Sequence, residues 1–246
     1  METWRTDLDA WIARSGLSAA QVARRAGVSG STIHRIRNGQ TDPSLGTLRE
    51  IAIACGLDLH LAAATLSDPL AAQAARVLLE KGYPDGVRPA TEAWIRRLKR
   101  QAEAPLEIVT AAAVAANPFT RAGSIHFSGT ATTAMLASAG SAAGGRWAVS
   151  GSPALEIPGR QKQFHGHALL WTERADLVAA LLENTLRPVP HPTIATVTVV
   201  QPEPELFTGT FEVESISFVA PIQIVLDCIA LGGEDAATAT EIASSW

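Results

Sequence analysis

Apolar residues recur at helical spacing through the first part of the chain. Read from Thr3, Trp4, Leu8, Trp11 and Ile12 fall on one face of a helix that Gly16 ends. Ser18 predicts the cap of a short second helix, Ala19 to Arg25, with Val22 and Ala23 inward. Ala26-Gly27-Val28 reads as a tight turn, its glycine placed where a left-handed residue costs least. Ser29 then predicts the cap of a third helix, Gly30 to Arg37, with Ile33 and Ile36 inward and Asn38-Gly39 at its end. Asp42-Pro43-Ser44 starts a fourth helix with Leu48, Ile51, Ala52 and Cys55 inward, closed by Gly56-Leu57-Asp58. A fifth helix is expected from about Asp58 to Leu66.

Short helices joined by short turns imply a small all-helical domain. The turn Ala26-Gly27-Val28-Ser29 joins two helices at a steep angle, an arrangement that lets the third project into a DNA major groove. Ser29, Ser31, Thr32, His34, Arg35, Arg37 and Asn38 are the expected DNA-binding residues, because they can donate to base edges or phosphates. His34 also reads as a plain exposed histidine, and Asn38 as a residue that serves the helix end. The third helix carries no carboxylate, which would oppose binding to phosphate.

The text "LSAAQVARRAGVSGSTIHRIRNGQTDPSLGTLREIAIACGLDL", residues 17–59, resembles the XRE/Cro/phage-repressor family. The resemblance implies a five-helix domain that binds operator DNA, usually as a dimer. Two positions depart from the family's habit: Ala19 where a glutamine is frequent, and Arg37 where a glutamate is frequent.

Beyond this domain, Ser67-Asp68-Pro69 predicts a capped helix that runs to about Glu80 with Leu70, Ala74, Val77 and Leu78. Residues 81–86 read as a loop. Arg88-Pro89 opens another helix with Trp94, Ile95 and Leu98 inward, and a further helix is expected from Leu106 to Ala116, before Asn117-Pro118. The run Arg96, Arg97, Lys99, Arg100 reads as a solvated face or as a second contact to phosphates. These three helices also fit a degraded winged helix with its wing near Arg121 to Phe127.

From about Ser124 the texture changes to α+β with a small mixed sheet. Strands are expected at Ile125–Phe127, Trp147–Val149, Leu155–Ile157, His167–Trp171 and Thr193–Val200, and further ones near Phe207 and over Phe211–Ile216. Helices are expected at Ala131–Ala139, Ala175–Asn184, Pro221–Ala230 and Glu234–Ala243, with loop over Gly140–Gly145 and Gly232-Gly233 closing the third of these helices. The expected fold is therefore multidomain. An all-α five-helix helix-turn-helix domain (1–66) precedes a mainly helical middle segment (67–120) and an α+β regulatory, dimerisation or partner-binding domain (121–246).

The composition changes little of this. The chain is 47% hydrophobic and 18% charged, with a net charge of −4, so any nucleic-acid face must be local. Cys55 and Cys228 sit in apolar helical patterns and are expected to be buried free thiols. No secretory signal and no apolar run of membrane-spanning length is read, so the expected place is a reducing cytoplasm without a membrane partner. No catalytic motif is found, and no enzyme, cofactor or metal is expected. Gly151-Ser152 with Glu156 is an incomplete nucleotidyltransferase set. His165 and His167 are spaced to share a strand face, as surface or packing residues before ligands. Asp227, inside an apolar helix, is expected to be paired locally.

Three stretches, "IHFSGTATTAML", "WAVSGSPALEI" and "SISFVAPIQIVLDCIALGGEDAATATEIA", resemble the antitoxin of the abortive-infection AbiE system, a type IV toxin-antitoxin family. Pro221, Gln223, Asp227, Gly232, Gly233 and Ala237 carry the match, with Glu234 where an arginine is usual. The resemblance spans roughly residues 90–246. It implies a winged helix, a domain that supports repression or antitoxicity, and autoregulation. The expected function is a sequence-specific DNA-binding transcription regulator, a homodimeric repressor on double-stranded DNA. The alternative is an antitoxin that neutralises a cognate toxin partner and binds DNA to regulate itself.

Overall fold

A computed structural model describes residues 3–84, 87–155 and 164–246, with side chains from Leu8 onward. The expected packing of Trp4, the loop at Asp85-Gly86 and the expected strand residues Glu156 and Ile157 lie outside these. The chain divides into two compact units, Met1–Ala64 and Thr65–Trp246.

The first unit holds α1 (Thr3–Ser15), α2 (Ala19–Arg25), α3 (Gly30–Arg37) and α4 (Leu45–Ala54). Serine hydroxyls start three of them. Ser18 accepts from Gln21 N, Ser29 from Thr32 N and Ser44 from Thr47 N, each satisfying an amide that the helix itself leaves unpaired. Gln21 completes a capping box, its Oε1 accepting from Ser18 N at 2.8 Å. Leu8, Val22, Ala23, Ile33, Ile36, Ile51 and Cys55 form the core, with Trp11, Ile12, Leu17, Val28 and Leu57 packed around it.

The fifth helix expected from Asp58 to Leu66 is absent. Gly56, at φ +78°, ends α4, and Leu57 N turns back to donate to Ala52 O at 2.9 Å. Beyond it, Leu61 and Leu66 are exposed. Alanine alone does not hold so short a helix when no apolar face is buried.

The second unit begins with α5 (Pro69–Leu79), α6 (Pro89–Gln101) and α7 (Pro105–Ala116). A proline in the first turn starts each, where its missing amide is not needed. Asp68 caps α5 through Leu70 N at 3.0 Å and accepts from Trp94 Nε1 of α6 at 2.7 Å, which pins two helices at one carboxylate. There follow β1 (Ile125–Ser128), α8 (Thr133–Ala143), β2 (Trp147–Gly151), the single turn α9 (Ser152–Leu155), β3 (Ala168–Thr172) and α10 (Ala175–Leu182). Next come β4 (Arg187–Val189), β5 (Val197–Val200), β6 (Phe211–Val213), β7 (Ile216–Phe218), α11 (Pro221–Leu231) and α12 (Gly233–Ser244).

The strands make one mixed sheet of seven in the order β4-β1-β5-β3-β2-β7-β6. The pairs β3/β5 and β2/β7 are parallel and the other pairs antiparallel. Every residue of β3 and β5 is buried. Their unbroken runs, ALLWT and VTVV, are those of central strands covered on both faces. The edge strand β4 carries Pro188, whose missing amide suits an edge.

Several expectations are corrected here. The segment 121–127 is no wing, because β1 pairs with both β4 and β5 inside the sheet. Residues 67–120 are not a separate segment. Ala71, Leu98, Val109 and Ala112 share one core with Leu169, Leu170, Val199 and Val225. Helix α8 continues through Gly140, expected as loop, because the Trp147 ring lies directly on it; a Cβ there would stand 2.6 Å from Trp147 Cγ. Phe207 lies in a 3-10 turn, Pro204–Phe207, and Leu155 closes α9. Glu214 and Ser215, at φ 51° and 66°, form the tight turn between β6 and β7.

Candidate nucleic-acid interface

The turn between α2 and α3 is built from backbone bonds. Gly27 takes φ +67°, and Val28 N donates to Ala23 O at 3.0 Å. Val28 thereby reaches the core beside Val22, and the chain is delivered to Ser29 at the start of α3. Buried Ile33 and Ile36 hold one face of α3 down. Each contributes about 1.5–3 kcal/mol by burial, so the helix's other face is fixed without help from its polar residues.

That other face carries the residues singled out above. Ser29, Ser31, His34, Arg35, Arg37 and Asn38 are exposed and Thr32 is half-buried. Ser29 Oγ is committed locally: it caps Thr32 N at 3.0 Å and lies 2.8 Å from Ser31 Oγ and 2.7 Å from Thr32 Oγ1. Asn38 Nδ2 lies 2.9 Å from His34 Nε2, one turn back. Arg37 Nε donates to Asp9 Oδ1 of α1 at 2.5 Å. Arg35 has no such partner among the described residues, so its five donors stand open to solvent.

Arg24 and Arg25 are exposed at the end of α2, next to the turn. They were not singled out from the sequence, although the pair sits plainly before Ala26-Gly27. The arrangement can bring an acid-free helix face, hydroxyls and a free guanidinium to a duplex. Bidentate contact of arginine to guanine is the commonest specific pairing of this kind.

The model of the helix-turn-helix domain family matches residues 10–65. This part of the chain is a helix-turn-helix domain, a module that binds DNA. No curated protein matches the chain, and no solved structure matches it. Among the described residues, no helix is long and apolar enough to cross a membrane.

The titratable residues of the second unit lie away from solvent. Asp227 of α11 is buried and accepts from Trp171 Nε1 at 2.9 Å and from Gln223 Nε2 at 2.8 Å. Desolvation pushes its pKa up to about 6, against the pull of these bonds, of the neighbouring Ser150 hydroxyl and of Arg121. The Ser150 hydroxyl has no other partner. Arg121 lies over the Trp171 ring at 5.2 Å, donates to Ala116 O at 3.1 Å, and is lowered by burial.

His165 and His167 do not share a strand face; both precede β3. His165 is exposed, whereas His167 Nε2 lies 2.7 Å from Thr198 Oγ1. Burial, and then His126, hold His167 down to about 4. Cys55 and Cys228 are free and buried, and burial raises both thiols. Sequence reasoning missed Arg76, which is buried, pairs with Glu80 at 3.1 Å and donates to the carbonyls of Glu205, Leu206 and Thr208.

Proposed function

We infer that the protein is a sequence-specific transcription regulator, a repressor of the XRE/Cro type that acts as a homodimer on a two-fold operator. The observation that carries this reading is the surface of α3. Its buried isoleucines fix the helix, while Ser31, His34 and Arg35 stand exposed with no carboxylate among them. The likeness of residues 17–59 to phage repressors supports the subtype. One such helix reads only a short half-site; two linked copies match a palindrome and gain affinity through linkage. The second unit then supplies dimerisation, partner binding or a response to a ligand.

The antitoxin reading draws less support. Of the residues behind that resemblance, Gln223 and Asp227 are buried and bonded to each other. Pro221 starts α11, and Gly232 and Gly233, at φ 81° and 71°, make the bend into α12. These are roles in packing and turning the chain, which a regulator needs equally.

The test is footprinting of the full chain on the DNA upstream of its own gene, together with a mass measurement in solution. Two protected half-sites about 34 Å apart and a dimeric mass are expected. No protection, or a monomeric mass at the protecting concentration, would overturn the reading. Loss of the gene should raise transcription from that promoter, and a fall would overturn repression.

A further inference from the structure

Between α9, the approach to β3 and the bend into α12 lies a cavity of about 550 Å³. That is within the range of small-molecule sites, roughly 300–1,000 Å³. Ser152 lines it, is only 1% exposed, and its hydroxyl has no hydrogen-bond partner. A buried hydroxyl left unpaired costs about 1–3 kcal/mol, which an occupant able to bond it would recover. Gly166 is what keeps the space open beside it, since a Cβ there would collide with Ser152 Oγ and with the Asp235 carboxylate.

The walls are of two kinds. Phe119 and Leu231 are apolar, and Phe119 braces the His167 ring edge-on at 4.9 Å. His167 is fixed from behind through Nε2 by Thr198, whose hydroxyl also lies 2.9 Å from His126 Nδ1. Glu234 and Asp235 add two carboxylates, and the described lining includes no lysine or arginine. Such a lining accepts hydrogen bonds and offers a flat apolar surface, and it opposes a phosphate.

We propose that this cavity binds a small organic ligand of nucleoside size that presents hydroxyl and amino donors and carries no phosphate. The proposal goes beyond DNA binding and does not depend on it. Calorimetric titration of the full chain with adenosine, guanosine, cytidine and uridine, and with their 5′-monophosphates, tests it. Saturable binding of at least one nucleoside, one per chain, is expected, with Ser152→Ala weakening it by about tenfold. Should Ser152→Ala fail to fold, Glu234→Gln, on an exposed first turn, takes its place with the same expectation. The proposal is overturned if no nucleoside binds saturably, if the folded variant binds as the parent does, or if a monophosphate binds more tightly than its nucleoside. None of these outcomes touches the reading of α3.

Discussion

The indole Nε1 of Trp171 donates to Asp227 Oδ2 at 2.9 Å, tying the middle of the sheet to α11. Gln223, one turn before Asp227, donates to the other oxygen at 2.8 Å. Both carboxylate oxygens are thus met by fixed donors, yet desolvation still dominates and raises the pKa from 3.8 to about 6.

A raised carboxyl pKa means that the folded state holds the proton more tightly than the unfolded chain. Its stabilising contribution is complete below the unfolded value and is lost as pH rises through about 6. The stability difference between the parent and Asp227→Asn should therefore be greater at pH 4 than at pH 7, by on the order of 3 kcal/mol. Denaturant melts of both proteins at each pH measure it. A difference that stays constant across this range contradicts the assigned desolvation.

His167 acts in the opposite sense. Its pKa falls from 6.5 to about 4, so the folded state resists the proton that the unfolded chain accepts. Its contribution is present above the unfolded value and is lost as pH falls through the folded one. An NMR titration of the imidazole should show it neutral at pH 6, with a midpoint near 4. A midpoint near the ordinary histidine value would show that water reaches the ring. Because Asp227 and His167 oppose each other between pH 4 and 6, the parent's own pH profile hides both, and single variants are needed to see either.

On α3 the two arginines separate. Arg35→Ala should weaken operator binding by about 1–3 kcal/mol if it reads a base, with the domain's melting unchanged. Arg37→Ala removes the bond to Asp9, an exposed pair, and should lower the domain's stability by about 0.2–1 kcal/mol. Binding isotherms and thermal melts on both variants distinguish the roles. Equal loss of affinity from Arg35→Ala on operator and on random DNA would make Arg35 a phosphate contact instead.

The interface was legible in the sequence because everything that builds it is local. Ser29, Gly27, Ile33 and Ile36 act within a few residues of one another. The central strands were legible too, since β3 and β5 are unbroken apolar runs. What failed depended on distant partners. Arg76 is held by carbonyls at 205, 206 and 208, and no periodicity near Arg76 announces them. Ser152 owes its burial to Gly166 and α12. The Asp58–Leu66 segment shows the reverse error: local propensity suggested a helix, but no surface is there to bury it.

The glycines at 27 and 140 look alike in sequence and differ in what holds them. At Gly27 a Cβ would meet nothing within 4 Å, but φ is +67°. Alanine there costs backbone strain alone, about 1–2 kcal/mol, and asparagine, which tolerates this region, should restore part of it. Gly140 is helical, where alanine is intrinsically favoured by about 1 kcal/mol, yet a Cβ would press into Trp147 at 2.6 Å from Cγ. Overpacking of this kind costs about 1–3 kcal/mol, so Gly140→Ala should destabilise the second unit in spite of its helix propensity. The remedy differs accordingly. Trp147→Leu should lessen the penalty of Gly140→Ala, whereas no neighbouring substitution should lessen that of Gly27→Ala. A double-mutant cycle on melting free energies measures the coupling, and additive Gly140 and Trp147 effects would show that the ring is free to move aside.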